Sequence, residues 1–310
     1  MKGTHPPIVT VVIPTRHRPA LMLRSVRSAL AQDLSDLEVI VVIDGADPES
    51  FEAIATISDP RLSTAYLADS VGGSQARNIG IQMGRGEFVA LLDDDDEWVP
   101  SKLSSQLALA RASQCRFPVV TSRLIARRPD GDELWPHRAM RIGESMSEYL
   151  FCRENSIRQG EGFIQTSTLF MPRALMLDVP FKQGLPRHQD WDWLIRVATH
   201  PGVEFSWVWE PLVIYHIDGY RKSISTGRSA APSINWINGN GLVTPKARAY
   251  FYATQVAVRC GSLASLLSIV GETVRYPRAL LIGISLALTP RNLVSFFRSK
   301  AENQVIGSIS

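Results

Sequence analysis

Cysteine is scarce in this sequence: three among 310 residues, Cys115, Cys152 and Cys260, scattered and odd in number. That pattern excludes a disulfide framework and a paired-cysteine zinc site, so a cytoplasmic, reducing setting is expected. Long hydrophobic runs are also missing. The longest near the C-terminus, "ALLIGISLAL" from Ala279 to Leu288, is too short to be expected to span a bilayer. The apolar stretch Ile8 to Ile13 is short and bracketed by prolines, unlike a secretory signal. Neither nucleotide-binding glycine signature is present, GxxxxGK[ST] or GxGxxG after a strand. Repeats and low-complexity linkers are absent. An excess of either charge is missing too, with 33 basic against 30 acidic residues and a net charge of +3. Such a balance calls for no nucleic acid, although it suits an acidic substrate or an anionic membrane surface. What remains is an ordinary globular composition, 45% hydrophobic and 20% charged.

The first third alternates strand and helix signals. "VTVVI" (Val9 to Ile13) ends at Pro14, and Pro19 opens a helical pattern over Ala20 to Gln32 with Leu21, Val26 and Leu30 on one face. "LEVIVVI" (Leu37 to Ile43) is a near-continuous apolar run, as strands covered on both faces tend to be, and it stops at the turn signal "DGADP". Helices over Pro48 to Ile57 and Ser74 to Met83 follow, with strands over Leu62 to Leu67 and Phe88 to Leu92. This βαβαβαβ order predicts a mostly parallel sheet with helices on both faces. Ligands in such sheets sit beyond the carboxyl ends of the strands. Four polar segments lie there: "PTRHR", Asp44, "DSVGG" and Asp93 to Asp96.

The second half is less regular. Strands are expected over Val119 to Ile125, over "FIQTSTLFM" (Phe163 to Met171) and over Val203 to His216, with the polar "ARRPDGDELWPHR" after Ile125. In "QDWDW" Asp190 is placed to cap a helix. From Thr244 the composition turns helical, with basic residues among apolar ones. The expected division is therefore a catalytic domain over 1–243, with halves at about 8–115 and 116–243, and a helical appendage over 244–310.

"FVALLDDDDEW" drives an apolar run into five adjacent carboxylates. A helix N-terminus beginning near Pro100 accounts for Asp96 or Glu97, since carboxylates are favoured there by a few tenths of a kcal/mol to about 1. It leaves unexplained why the acids start directly after "FVALL". Aspartates at i and i+2 of an extended segment share a side, so Asp93 and Asp95 are expected to face one ligand and Asp94 to face away. Mg2+ or Mn2+ takes one or two such carboxylates together with substrate phosphates. On this reading a cation is the compensating charge, and the site without it is strained. Asp190, between two tryptophans, is either a cap with aromatic neighbours or a general base. His216 is either a satisfied strand-end histidine or a metal ligand. Arg221 and Lys222 are either solvated or placed against a phosphate.

Taken in order, "VVIPTRHRP", "VVIDGADP", "GGSQARNIG", "GEFVALLDDDDEW" and "QDWDWLIR" resemble the family 2 glycosyltransferases over about residues 8 to 216. The resemblance implies the nucleotide-diphospho-sugar transferase (GT-A) fold and an inverting sugar transfer. The donor would be a nucleotide-diphospho-sugar of the UDP-sugar class, and the acceptor a hydroxyl of a glycan or lipid-linked glycan in cell-surface polysaccharide biosynthesis. It implies that Asp44 binds the base beside Arg77, with Pro14, Thr15 and Arg16 in the nucleotide turn. Asp93 would contact the ribose, Asp95 the divalent cation, and Asp96 the metal or the acceptor. Asp190 would be the catalytic base and Trp191 a substrate contact, with His216 on the metal side and Arg221 near the diphosphate. Two departures stand out: Arg16 replaces the aromatic that commonly stacks on the base, and Gln189 replaces the Glu before the catalytic Asp.

Two other readings compete. One is a non-catalytic nucleotide-sugar or cation-binding relative, against which Asp93, Asp95 and Asp190 argue. The other is a sugar nucleotidyltransferase, which would want a glycine-rich pyrophosphate loop where "PTRHRPALM" stands. The basic and apolar residues of 245–310 suit either packed helices or peripheral contact with the inner face of the membrane.

Overall fold

Alternation along the apolar runs decides how the first half is layered. The chain forms β1 (Val9–Thr15), α1 (Pro19–Leu30), β2 (Leu37–Ile43), α2 (Pro48–Ile54), β3 (Leu62–Tyr66), α3 (Gly73–Met83) and β4 (Phe88–Leu91) in a computed structural model describing residues 6–154, 160–217, 229–259 and 263–287. Every residue of β2 is buried. Val39, Val41 and Ile43 join Met22, Val26 and Ala29 of α1 in the larger core, whereas Ile40 and Val42 face Ala76 of α3. Side chains alternate across a strand, so a strand sandwiched between helices must be apolar at both parities. Close approach of α3 is conditional on Gly80: a Cβ there would stand 2.4 Å from Val12 Cγ1.

The chain continues through β5 (Glu97–Trp98), α4 (Lys102–Ala112), β6 (Phe117–Arg128), β7 (Gly131–Trp135), α5 (Met146–Phe151), β8 (Phe170–Pro172), α6 (Arg173–Asp178), α7 (Gln189–Val197) and β9 (Val203–His216). The sheet order is β3-β2-β1-β4-β8-β6-β9-β5, with β7 paired to β6. Its first four strands are parallel, as expected. Beyond β4 the pairing becomes mixed, because β8 runs antiparallel to both β4 and β6 while β6 and β9 run parallel.

The strand expected to end at Ile125 is longer: β6 runs on to Arg128 and turns back as β7 through the polar stretch, with Arg127 opposite Asp132 in an ion pair of 3.1 Å. One further expectation is corrected, since "FIQTSTLFM" is not one strand. Residues Thr166–Thr168 form a 3-10 turn, and only Phe170–Pro172 is strand. Gln165 Oε1 accepts from Ser167 N at 2.6 Å and Thr168 Oγ1 donates to Gln165 O at 2.7 Å, so polar side chains outcompete the ladder for the backbone.

By packing, the chain divides into two compact units. One compact unit comprises 1–139, 163–185 and 189–221; the other comprises 140–162, 186–188 and 222–310. The second contains α5, α8 (Ala231–Asn238), α9 (Pro245–Phe251), α10 (Leu263–Thr273) and α11 (Pro277–Ala287). Aromatic packing explains the regrouping. Phe151 lies 5.2 Å from Phe251 and 6.2 Å from Trp236, so α5 and α8 share a core with α9 although they precede Thr244. Among the described residues no helix is long and apolar enough to cross a membrane.

Candidate functional site

The carboxyl ends of β1, β2 and β4 and the start of α3 meet through side chains, all within the first unit. Asp44, directly after β2, is buried and accepts from Val71 N (2.6 Å), Gly72 N (3.0 Å) and Ser70 Oγ (3.0 Å). Gly72, at φ +82°, supplies the left-handed conformation that this loop needs before α3. Arg16 donates to the same Ser70 hydroxyl at 2.9 Å. The segments expected to gather on one rim therefore do so, with Asp44 as the anchor of the "DSVGG" loop.

Asp93 to Asp96 do not form an extended run. Asp96 N donates to Asp93 O at 3.2 Å, closing a turn, so the side chains fan out instead of alternating. Asp94, expected to face away, is buried: Thr15 Oγ1 donates to it at 2.8 Å and Arg18 Nη1 at 3.1 Å. Burial pushes its carboxyl up to about 6, the Asp95 charge adds to this, and Arg18 and Thr15 oppose it. Arg18 Nη1 also reaches Asp95 Oδ2 at 3.0 Å, and Arg24 Nη2 donates to Asp95 O at 2.5 Å. Arg77 Nη2 pairs with Asp93 Oδ1 at 2.5 Å. The expected reliance on a cation alone is thus corrected: arginines of the chain meet three of these acids.

Asp96 does not serve the next helix, which begins at Lys102 after Ser101. It is fully buried and accepts from Ser167 Oγ (2.6 Å) and Gln165 Nε2 (2.8 Å). Burial, followed by the charges of Asp95 and Asp93, holds its carboxyl well above the usual range. Gln165 Nε2 also donates to Asp93 Oδ2 (3.0 Å), and Ser167 Oγ accepts from Asp93 N (3.0 Å). Glu97 forms an ion pair with Arg24 at 3.4 Å and lies 2.7 Å from Nε2 of His216, the last residue of β9.

Asp190 is not the cap of α7 but lies in its first turn, because the helix already starts at Gln189. Trp191 N donates to Asp190 Oδ1 at 2.9 Å, and half-buried Trp191 flanks the carboxylate. Burial pushes Asp190 up to about 6; the Trp191 amide and Arg77 oppose this, and the Asp93 charge adds to it. Arg77 ties this helix to the acidic turn, since its Nη1 donates to Gln189 Oε1 at 3.1 Å while Nη2 holds Asp93. Pro14 is part of β1, beside Thr15. Arg221 and Lys222 lie outside the described residues.

With this arrangement in hand, known proteins can be compared. The description "Glycosyl transferase family 2" matches residues 10–178. The chain belongs to that family. Amylovoran biosynthesis glycosyltransferase AmsB of Erwinia amylovora is 29% identical over 238 residues, 74% of this chain and 76% of its own. UDP-Glc:alpha-D-GlcNAc-diphosphoundecaprenol beta-1,3-glucosyltransferase WfaP of Escherichia coli is 29% identical over 110 residues, 36% of this chain and 44% of its own. The chain therefore spans three quarters of the first relative and under half of the second. Mannosyltransferase PcManGT of Pyrobaculum calidifontis, solved with GDP-Man and Mn2+, superposes at a TM-score of 0.57 with 17% identity, over 95% of this chain and 84% of that one. At that identity the likeness shows the fold, which is GT-A: a mixed sheet flanked by helices, with a helical C-terminal region.

For a family 2 glycosyltransferase the donor set suits a hard divalent cation. Asp93 and Asp95 offer carboxylate oxygens at the rim, with side chains 23% and 27% exposed. Among the described residues no three His, Cys, Asp or Glu side chains converge to form a cage. A cation of this kind does not need one, since Mg2+ commonly keeps waters and substrate phosphates and takes only one or two carboxylates. Sequence reasoning missed Arg18, Arg24, Gln165 and Ser167. Arg18 stood in the quoted "PTRHR" turn, so its signal was local. Gln165 and Ser167 carry none, because their partners lie about seventy positions away in sequence.

Proposed function

We propose that the chain is an inverting glycosyltransferase of cell-surface polysaccharide biosynthesis that moves a sugar from a nucleotide-diphospho-sugar, of the UDP class, to a hydroxyl of a glycan or lipid-linked glycan. The observation that carries this reading is Arg77 bridging Asp93 and the helix that bears Asp190. It brings a donor-side acid and a candidate base to one place. Asp44 shapes the nucleotide loop and Arg16 offers its guanidinium to the base beside Pro14 and Thr15. Asp93 takes the ribose; Arg221, expected near the diphosphate, lies outside the described residues. Asp95 would hold the divalent cation, with His216, whose Nε2 lies 2.7 Å from Glu97, assigned to the metal side and Asp96 in support. When bound, that cation stabilises the charge growing on the leaving diphosphate. Asp190 accepts the acceptor hydroxyl's proton while Trp191 packs against the substrate, and attack on the face opposite the leaving group inverts the anomeric centre. The named substrates of WfaP and the Mn2+ complex of PcManGT support this choice of ligands.

A panel of nucleotide sugars, each with Mn2+ and with chelator, tests it through the melting temperature. One donor class is expected to raise Tm with Mn2+ and to lose the effect with chelator. No shift with any donor would overturn the reading.

Peripheral membrane contact is part of the same proposal. Leu267 and Val270 of α10, Val274 directly after it and Leu281 of α11 are exposed. Residues 245–310 carry eight basic and two acidic side chains, more positive charge than the +3 of the whole chain. Apolar side chains beside basic ones suit an anionic leaflet. The full chain is expected to float with phosphatidylglycerol vesicles and the L267D/V274D double variant to stay behind; equal flotation of both would exclude this surface.

A further inference from the structure

Lys102, the first residue of α4, is fully buried, and among the described residues no carboxylate pairs with it. An amine in that position costs stability, and its pKa is driven well below the usual lysine range by burial. Packing alone would be served as well or better by an unbranched apolar side chain of the same length.

Its contacts give it another role. Lys102 Nζ donates to Gln106 Oε1 at 2.6 Å and lies 4.0 Å from the centre of the Trp98 ring. The amine donates to the Gln106 oxygen, which leaves the amide Nε2 facing the other way. There it donates to Thr168 O at 2.8 Å and Val120 O at 3.2 Å. The Trp98 indole N–H donates to the neighbouring carbonyl, Ser167 O, at 2.9 Å. Two partners of one amine thus grip successive carbonyls of the 3-10 turn. From this same turn Ser167 and Gln165 hold Asp96, Gln165 holds the Asp93 carboxylate, and Ser167 accepts the Asp93 N–H.

We propose that Lys102 is a positioning residue for the donor-side carboxylates: through Gln106 and Trp98 it fixes the Gln165–Thr168 turn, and through that turn Asp93 and Asp96. The geometric part stands on the contacts alone; its effect on donor binding rests on the glycosyltransferase reading.

The test uses the full-length K102M variant, which keeps the length of the side chain and removes the amine. Hydrogen exchange followed by mass spectrometry is expected to quicken in peptides covering 93–98 and 165–169 and to stay unchanged in β1 and β2, with Tm held. Affinity for UDP with Mn2+ is expected to fall about tenfold, as substitutions behind a ligand shell commonly do. A double cycle with Q106M is expected to be non-additive, since both act on one amide. Wild-type exchange in both peptides of folded K102M would overturn the proposal. Should K102M fail to fold, Q106M reads the same arm with the amine in place, and unchanged exchange there has the same consequence. Failure of the wild-type protein to bind UDP would count against the functional reading and leave the exchange comparison standing.

Discussion

Asp190→Asn is expected to lower sugar transfer by about 10²–10⁴-fold, the usual contribution of a positioned general base, while binding of the nucleotide sugar stays within about twofold. The asymmetry follows from placement. Asp190 sits on α7, which Arg77 ties to the acidic turn through Gln189 and not through the Asp190 carboxylate, so the donor-side contacts survive its neutralisation. Its pKa, raised to about 6 from an ordinary 3.8, adds two readouts. A base works when ionised, so kcat/KM should climb with pH through about 6 and level off above it. Stability runs the other way. A carboxyl raised on folding favours the protonated form, a contribution complete below pH 3.8 and lost as pH rises through about 6. Asp190→Asn should therefore melt higher than the parent at pH 8 and alike at pH 4. Parental transfer rates in Asp190→Asn would remove Asp190 from the role of base.

Asp95→Ala is the second large effect. It is expected to weaken nucleoside diphosphate binding in Mn2+ on the order of a hundredfold, the several kcal/mol that a cation supplies to phosphate charge. Calorimetry with UDP checks it, and chelator supplies the internal control, since parent and variant should then bind alike. The fold should survive: the Asp95 side chain is partly exposed, and Arg18 keeps its bond to Asp94. Undiminished Mn2+ dependence in Asp95→Ala would assign the cation to other groups.

Local chemistry accounts for what could be read before the fold was known. A strand buried on both faces must be apolar at both parities, so β2 announced itself, and the punctuation of Pro14, Asp44 and Gly72 located the rim. The geometry of the acidic run was beyond reach for the opposite reason. Whether four aspartates alternate or fan out depends on the bond from Asp96 N to Asp93 O and on arginines from α1 and α3. Spacing along a chain cannot reveal a turn stabilised by distant partners. The same applies to "FIQTSTLFM", whose β-branched and aromatic residues suit a strand, whereas Gln165 and Thr168 impose a turn. Composition changes near 243, whereas the aromatic core of the second unit also recruits Phe151 and Trp236 from earlier in the chain.

Arg77 has a thermodynamic consequence. One planar fork spends one nitrogen on Asp93 and the other on Gln189, so neither end can shift without disturbing the other. Two ligand sites that share such a strut are energetically linked, and linkage is reciprocal: the factor by which the first ligand alters affinity for the second equals the factor in the opposite order. Under the proposed assignment, donor and acceptor would therefore bind with measurable synergy or antagonism, and the Glu-to-Gln departure at position 189 would tune its sign as well as the acceptor's fit.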